Sequence, residues 1–164
     1  MVGQWPMDLT TGDAGGGAER EKPMDKMWAG AQTSLDAGQR LFWTVEHGEL
    51  EDLREIFADG AVVWHNTDDK LTDIDQTIRN LRAIKSVATE FRYVDIRREP
   101  TPTGFVQQHV LVVKTTDGRE IRDMCCCVCR VENGRIAHMD AYHDSAATPP
   151  IPGRKPGRDW RHES

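Results

Sequence analysis

The 164-residue sequence lacks the features that mark several large functional classes. Its formal net charge is −6 and no basic stripe runs through its central part, which argues against nucleic-acid binding because phosphate contacts need clustered Lys and Arg. No apolar run approaches the ~20 residues of a membrane span, and the N-terminus has no basic-then-apolar signal pattern. A phosphate loop and a dinucleotide fingerprint are also absent. We therefore expect a cytoplasmic protein with no cofactor and with neither a nucleic-acid nor a membrane partner.

Cysteine occurs only in one short cluster, made of Cys125, Cys126, Cys127 and Cys129. Neighbouring side chains on a strand point to opposite faces, so these thiols do not converge on one tetrahedral ion. No distant second pair completes a Cys-x-x-Cys site. The cluster predicts small buried residues in a reducing compartment, and no metal site.

Apolar periodicity is confined to the middle of the chain. Residues 1–31 carry Gly15-Gly16-Gly17 and scattered charges, and residues 147–164 are rich in Pro, Gly and Arg. Such segments bury too little apolar surface to offset the entropy lost on ordering. The sequence therefore predicts a disordered N-terminal tail over 1–31, one domain over 32–146 and a C-terminal tail over 147–164.

The domain itself shows helical patterns first and strand patterns afterwards. Helices are predicted over 34–46, where Ser34 is a plausible cap, over 50–58, and from Thr72, which has capping-box spacing to Asp75. Strands are predicted over 61–64, 91–98, 105–115, 120–131 and 135–143. The order ααβαββββ, ending in an antiparallel meander, indicates an α+β fold with one sheet packed on three helices.

Two turn dipeptides, Asp117-Gly118 and Asn133-Gly134, allow the strand register to be predicted. A two-residue turn at the first places Val112 opposite Asp123. A three-residue loop over 132–134 places Asp123 opposite His143. One face then holds, besides that pair, Gln108, Val110, Val112, Cys125, Cys127, Met139 and Ala141. If the second loop were instead a two-residue turn, the last strand would present its other face.

An acid beside a histidine on an apolar face is the main chemical signal. An imidazole stabilises a buried carboxylate, and such a pair can move a proton near neutral pH. The alternative is an ion pair with a structural role only, and the residues alone leave both open.

Two segments resemble a known family. Residues 53–66, Leu-Arg-Glu-Ile-Phe-Ala-Asp-Gly-Ala-Val-Val-Trp-His-Asn, and residues 132–144, Glu-Asn-Gly-Arg-Ile-Ala-His-Met-Asp-Ala-Tyr-His-Asp, are similar to segments of the SnoaL-like, ketosteroid-isomerase-related branch of the nuclear transport factor 2-like superfamily. This resemblance implies a curved antiparallel sheet wrapped over three N-terminal helices, a cone that encloses an apolar pocket.

The resemblance also implies which residues line that pocket. The ketosteroid isomerase base position corresponds to His65, but its oxyanion groups correspond to Leu41 and to Cys125 or Cys126. The polar groups of limonene-epoxide hydrolase correspond to Val63, His65, Gln108, Val110 and Ala141. Standard membership of either enzyme class is therefore not expected. The predicted catalytic residues are His65, Asp123 and His143, and the predicted substrate contacts are Trp43, Val63, Gln108, Val110, Val112, Cys125, Met139 and Ala141.

These observations favour a cofactor-free isomerase, lyase or cyclase that acts on a small hydrophobic, ring-bearing molecule. The alternative is a non-catalytic ligand-binding or dimerising accessory protein. The strand over 105–115 is apolar on both faces, so we also expect a homodimer through the outer face of the sheet. The predicted interface surrounds His109, Leu111, Val113 and Met124.

Overall fold

The computed structural model describes residues 23–144, and side-chain positions are described from residue 30 onward. This part of the chain forms three α-helices, one 3-10 turn and six strands. The helices are α1 (Pro23–His47), α2 (Leu53–Ile56), which follows the 3-10 turn Leu50–Asp52, and α3 (Ile74–Ser86). The strands are β1 (Phe57–His65), β2 (Lys70–Asp73), β3 (Ala88–Thr101), β4 (Gly104–Thr115), β5 (Glu120–Glu132) and β6 (Arg135–His143).

The first helix is longer than its sequence pattern predicts. It begins at Pro23, nine residues before the predicted start of the domain at residue 32. The domain bounds remain a prediction. Ser34 lies within α1 and is buried, so its assignment as the cap is wrong. The rest of the N-terminal tail and residues 147–164 lie outside the described residues. No helix in the described part of the chain is long and apolar enough to cross a membrane.

The third helix is capped by Asp73, whose carboxylate accepts a hydrogen bond from the backbone N–H of Gln76 at 2.7 Å. The predicted cap, Thr72, instead belongs to β2 and donates its hydroxyl to the carbonyl of Val63 at 3.1 Å. β2 was not predicted because its four mostly polar residues show no strand pattern. This short strand pairs with β1 and leads the chain directly into α3.

The six strands form one open sheet in the order β2-β1-β6-β5-β4-β3. The β1–β6 pair is parallel and every other neighbouring pair is antiparallel. The sheet is therefore mixed, and the prediction of a purely antiparallel sheet is wrong. The α+β class and the packing of three helices on one sheet are confirmed. The core lies between them and contains Leu41, Phe42 and Val45 of α1 together with inward side chains of the strands.

The β4–β5 connection is a three-residue loop, not the predicted two-residue turn. Thr115 donates its N–H to the carbonyl of Arg119 at 2.9 Å, and Gly118 takes the left-handed φ of +83° that such a loop requires. This extra loop residue slips the register by one, so Leu111 rather than Val112 lies opposite Asp123. A one-residue slip turns every side chain of a strand to the other face.

The β5–β6 connection is the two-residue turn at Asn133-Gly134, where both residues have positive φ (50° and 75°). This turn alone would have reversed the inner face of β6. A bulge in β6 follows, since Val131 lies opposite Ile136 whereas Arg130 lies opposite His138. The extra residue in β6 turns the side chains that follow it back to the faces predicted for them. Asp123 and His143 therefore share one face, although Cys125 is the residue directly opposite His143.

Candidate functional site

A cavity of about 120 Å³ lies between the helices and the inner face of the sheet. Most of its lining is apolar and comes from α1, α3 and the strands. The polar side chains in its wall are few: His65, Thr77, Asn80, Tyr93, His109, Asp123 and His143. A concave, mostly apolar space with a few polar groups is the usual form of a small-molecule site.

The structure brings the three predicted catalytic residues together on this cavity. His65 is the last residue of β1, Asp123 lies near the start of β5 and His143 ends β6. Four of the predicted substrate contacts also line it, namely Val63, Cys125, Met139 and Ala141. The roles of these residues are not shown by their position and remain a proposal.

The other four predicted substrate contacts are wrong. Gln108, Val110 and Val112 lie on the opposite face of β4, because the three-residue loop shifts that strand by one residue. Trp43 points away from the core with 55% of its surface exposed, and it stacks on His47 one turn later.

Asp123 and His143 form the central polar contact of the site. The carboxylate Oδ2 of Asp123 lies 2.7 Å from Nδ1 of His143, and the Asp123 residue is only 2% exposed. An ionised carboxylate only accepts hydrogen bonds, so Nδ1 carries the proton and donates it. The imidazole is thereby held in the tautomer whose Nε2 is unprotonated and able to accept a proton.

Backbone groups and a neighbouring amide fix the position of this pair. The second carboxylate oxygen of Asp123 accepts from the N–H of Asp144 at 3.3 Å. The side-chain amide of Asn66 forms two hydrogen bonds with the backbone of His143. Its Oδ1 accepts from the His143 N–H at 2.8 Å, and its Nδ2 donates to the His143 carbonyl at 3.0 Å. His143 is therefore anchored through its backbone as well as through its ring.

His65 stacks on His143, with ring centroids 5.7 Å apart and planes inclined by 23°. The parallel pairing of β1 with β6 produces this contact, because His65 lies opposite Ala141, whose side chain shares the face of His143. Two imidazoles thus lie side by side at one end of the cavity.

Cys125 is the third group around Nδ1 of His143, with its Sγ 3.3 Å away. Asp123, Cys125 and His143 each offer one ligand atom within 4.8 Å of the others, a set of the kind that binds a transition metal. Burial, together with the charge of Asp123 and with Cys127, raises the pKa of the Cys125 thiol far above its ordinary value. The thiol is therefore protonated at neutral pH and donates toward the backbone carbonyl of Asp123 at 3.4 Å. A metal ion would have to displace both this proton and the one on Nδ1.

His109 lines the cavity and was missed as a site residue, because the wrong register turned it outward. Its Nδ1 lies 3.0 Å from Nε2 of Gln107, and Phe42 and Tyr93 make edge contacts with the ring at centroid distances of 5.0 Å and 4.8 Å. Burial is the main cause that lowers the pKa of His109 to about 4. Had a three-residue loop been predicted around Asp117-Gly118, His109 would have been assigned to the inner face of the sheet.

The structure divides the residues predicted for a dimer interface between the two faces of the sheet. His109, Leu111 and Val113 face the interior, which corrects their assignment to the outer face. Met124 does lie on the outer face, with 63% of its surface exposed, and Val128 and Tyr142 are exposed large apolar residues on the same side. The expected homodimer remains a prediction.

Comparisons with known proteins find similarity in structure only. The sequence matches no protein-family profile and no curated protein. Among solved structures, a proposed SnoaL-like polyketide cyclase from Jannaschia sp. has a TM-score of 0.61 at 16% identity, covering 82% of this chain and 100% of that one. An M. tuberculosis LEH-like epoxide hydrolase has a TM-score of 0.61 at 15% identity, with coverage of 72% and 87%.

A third similar structure is an NTF2-like protein of unknown function from Burkholderia pseudomallei, with a TM-score of 0.61 at 16% identity and coverage of 70% and 92%. At such identities the likeness concerns the fold and not the activity. The fold expected from residues 53–66 and 132–144 is confirmed: the chain shares the fold of these solved SnoaL-like and NTF2-like structures.

Proposed function

We propose that this protein is a cofactor-free proton-transfer enzyme, an isomerase, lyase or cyclase, that acts on a small apolar ring compound in the cavity. The observation that carries the proposal is the buried hydrogen bond between Asp123 and His143 in a mostly apolar wall. Solved structures of the same fold include proteins named as a polyketide cyclase and as an epoxide hydrolase, which supports a small-molecule enzyme.

His143 is the proposed base. With Nδ1–H donated to Asp123, Nε2 takes a proton from an acidic C–H or O–H of the substrate. The positive charge that develops on the imidazole is then stabilised by the adjacent carboxylate, which remains ionised. Because Asp123 is almost fully buried, little water screens this attraction.

His65 is the proposed second proton carrier. Its ring lies beside that of His143 in the same wall, so a substrate that has lost a proton to one imidazole can receive one from the other. Removal at one carbon and return at another atom is an isomerisation, and return to a leaving hydroxyl is a dehydration. Both reactions need only proton transfers.

The test is the exchange of acidic C–H protons, which does not require the natural substrate. A panel of monocyclic and fused bicyclic ketones is incubated with the protein in D₂O, and the loss of the α-proton signals is followed by NMR. The wild-type protein should accelerate exchange for at least one ring size. His143→Gln should lower the accelerated rate by roughly 10²–10⁴-fold, the usual contribution of a general base.

Val110→Ile is the matched control, since Val110 lies on the opposite face of β4 and its substitution should leave the exchange rate unchanged. If no ketone exchanges above the buffer rate, the catalytic proposal fails. A small molecule retained in native mass spectra of the purified protein would then favour the alternative, a ligand-binding protein without turnover.

A further inference from the structure

Asp123, Cys125 and His143 bring three kinds of metal-ligating atom together in the cavity wall. The carboxylate Oδ2 of Asp123 lies 2.7 Å from Nδ1 of His143, and Sγ of Cys125 lies 3.3 Å from the same nitrogen. All three ligand atoms lie within 4.8 Å of one another. In the described part of the chain, no other three side chains of the metal-ligating kinds converge in this way.

The pairing of β5 with β6 produces this convergence. Cys125 is directly opposite His143, and Asp123 precedes Cys125 by two residues, so all three side chains share the inner face of the sheet. Cys126 points to the other face, and Cys127 lies one step further along the ladder, opposite Ala141. The cluster therefore uses a single thiol, in keeping with the expectation that the four thiols do not converge on one ion.

The spacing of the three ligand atoms suits one tetrahedral ion. Zinc is held about 2.0–2.3 Å from oxygen, nitrogen and sulfur, which places neighbouring ligand atoms roughly 3.3–3.7 Å apart. The observed separations of 2.7 Å and 3.3 Å, with none above 4.8 Å, bracket that range. An ion can therefore enter between the ligand atoms if each moves by less than about 1 Å. Three protein ligands is also the number that open zinc sites use, with a water in the fourth position.

The surroundings hold the three ligands in place. Asp123 and Cys125 are only 2% and 6% exposed. The second oxygen of the Asp123 carboxylate accepts from the N–H of Asp144, and the side-chain amide of Asn66 binds the backbone of His143 on both its N–H and its carbonyl. Such outer hydrogen bonds orient metal ligands and strengthen the binding of the ion.

The kinds of ligand and their charges indicate which ion fits. A thiolate and an imidazole favour ions of the zinc class, whereas Mg²⁺ and Ca²⁺ need several oxygen ligands and would find one carboxylate here. The carboxylate of Asp123 and a thiolate at Cys125 together carry two negative charges, which offset the charge of a divalent ion. The occupied site would then be neutral, which avoids the cost of burying net charge in a mostly apolar wall.

We infer that Asp123, Cys125 and His143 form a binding site for one divalent ion of the zinc class, and that the bound ion holds His143 in the tautomer that cannot act as a base. Nδ1 of His143 gives its lone pair to the ion, the imidazole proton is then carried by Nε2, and the thiol proton of Cys125 leaves to solvent. Nε2 no longer accepts a proton. The metal site itself does not require turnover, whereas its inhibitory effect rests on the proposed function.

The first experiment measures Zn²⁺ binding to the full-length protein. After treatment with a chelator, the protein is titrated with Zn²⁺ in competition with a chromophoric chelator. The wild type should bind one ion, and excess Mg²⁺ should not displace it. Cys125→Ser should weaken binding by more than roughly 100-fold, since loss of an outer hydrogen-bonding partner alone costs roughly 10–100-fold. Co²⁺ should give a thiolate-to-metal charge-transfer band in the wild type that Cys125→Ser lacks.

Two variants control for structural damage and for binding elsewhere. Cys127→Ser makes the same change at another buried cysteine of the same face and should keep the affinity for Zn²⁺. His138→Gln removes the imidazole of the partly exposed His138–Asp140 pair, whose atoms lie 2.8 Å apart, and should also keep it. An undetectable affinity of the wild type, equal binding by wild type and Cys125→Ser, or loss of binding in His138→Gln overturns the inference.

A second measurement needs no variant. In protein labelled with ¹⁵N at histidine, His143 should carry its proton on Nδ1 without metal and on Nε2 at saturating Zn²⁺. A proton that stays on Nδ1 shows that the ion binds elsewhere and refutes the inference.

The ketone exchange assay separates the metal site from the proposed function. Saturating Zn²⁺ should abolish the accelerated α-proton exchange, and a chelator should restore it. Zn²⁺ bound through Cys125 with Nε2 of His143 protonated, in a protein that exchanges no ketone, would support the inference and reject the catalytic proposal. Exchange by a protein that binds no Zn²⁺ would do the reverse, and exchange that bound Zn²⁺ leaves unchanged or accelerates would refute the inhibitory tautomer.

Discussion

The buried, neutral state of His109 makes a quantitative prediction about stability against pH. Near pH 7.5 the residue is uncharged in both the folded and the unfolded chain. As the pH falls through the ordinary histidine value near 6.5, the unfolded chain takes up a proton, whereas the folded chain does not until its own pKa of about 4. The unfolded state is therefore favoured by acid, and stability is lost between about pH 6.5 and pH 4.

The magnitude follows from the two pKa values. Relative to pH 7.5, His109 should cost the folded state about 1 kcal/mol near pH 5.5 and about 2–3 kcal/mol near pH 4.5, with a limit of roughly 3 kcal/mol. His109 is only 6% exposed, so solvent screening should reduce these values little. His109→Phe removes the ionisation and should unfold with a correspondingly weaker dependence on pH.

The assay is urea unfolding of both proteins at a series of pH values, with the difference in free energy of unfolding plotted against pH. Taking the difference cancels the contribution of the carboxylates to the free energy of unfolding, since they also titrate in this range but are common to both proteins. The free energy of unfolding of Met139→Leu should change with pH as that of the wild type does, since no ionisable group changes. A flat difference between wild type and His109→Phe, or one that grows in the opposite direction, would show that His109 is solvated or charged in the folded state.

Three further predictions address the fold and the thiols. Asp73→Ala should lower the free energy of unfolding by about 1 kcal/mol, because it removes the cap of α3; an unchanged urea midpoint would mean that this cap is not used. Gly104→Ala should cost more than about 3 kcal/mol or prevent folding, since a Cβ there would lie 1.9 Å from the backbone oxygen of Cys129; a normal melting temperature would refute this close approach of β4 and β5. In mass spectra after brief alkylation, Cys126 should be modified before the other three cysteines, which are buried; equal labelling of all four would contradict the assigned faces.

Predictions from the sequence were most accurate where the signal is local and repeated along the chain. The apolar stripe of α1, the four strands of the C-terminal meander and the turn dipeptides all follow from short-range rules, because side-chain spacing and backbone preference act within a few residues. The buried positions of Cys125, Cys127 and Cys129 also follow from strand alternation. These features, with residues 53–66 and 132–144, were enough to predict the α+β class and the packing of three helices on one sheet, but not β2 or the parallel β1–β6 pair.

Register could not be determined in the same way. Asp117-Gly118 was predicted to form a two-residue turn and Asn133-Gly134 to lie in a three-residue loop, and the structure has the reverse. Both dipeptides are compatible with either loop, because each can supply a residue at positive φ. The choice depends on how the strands beyond the loop pack. For β4 the error placed His109 outside the cavity, and for β6 the bulge cancelled it.

By itself, then, the sequence determined every helix and strand except β2, the apolar character of the core and the presence of an acid and two histidines on strands next to it. The tertiary structure alone decided that Asp123 and His143 meet at 2.7 Å, that His65 stacks beside them and that His109 joins the same cavity. The physical reason is that alternation along a strand has a period of two. One inserted residue in a loop or a bulge reverses the face of everything beyond it, and only long-range packing specifies whether that residue is inserted.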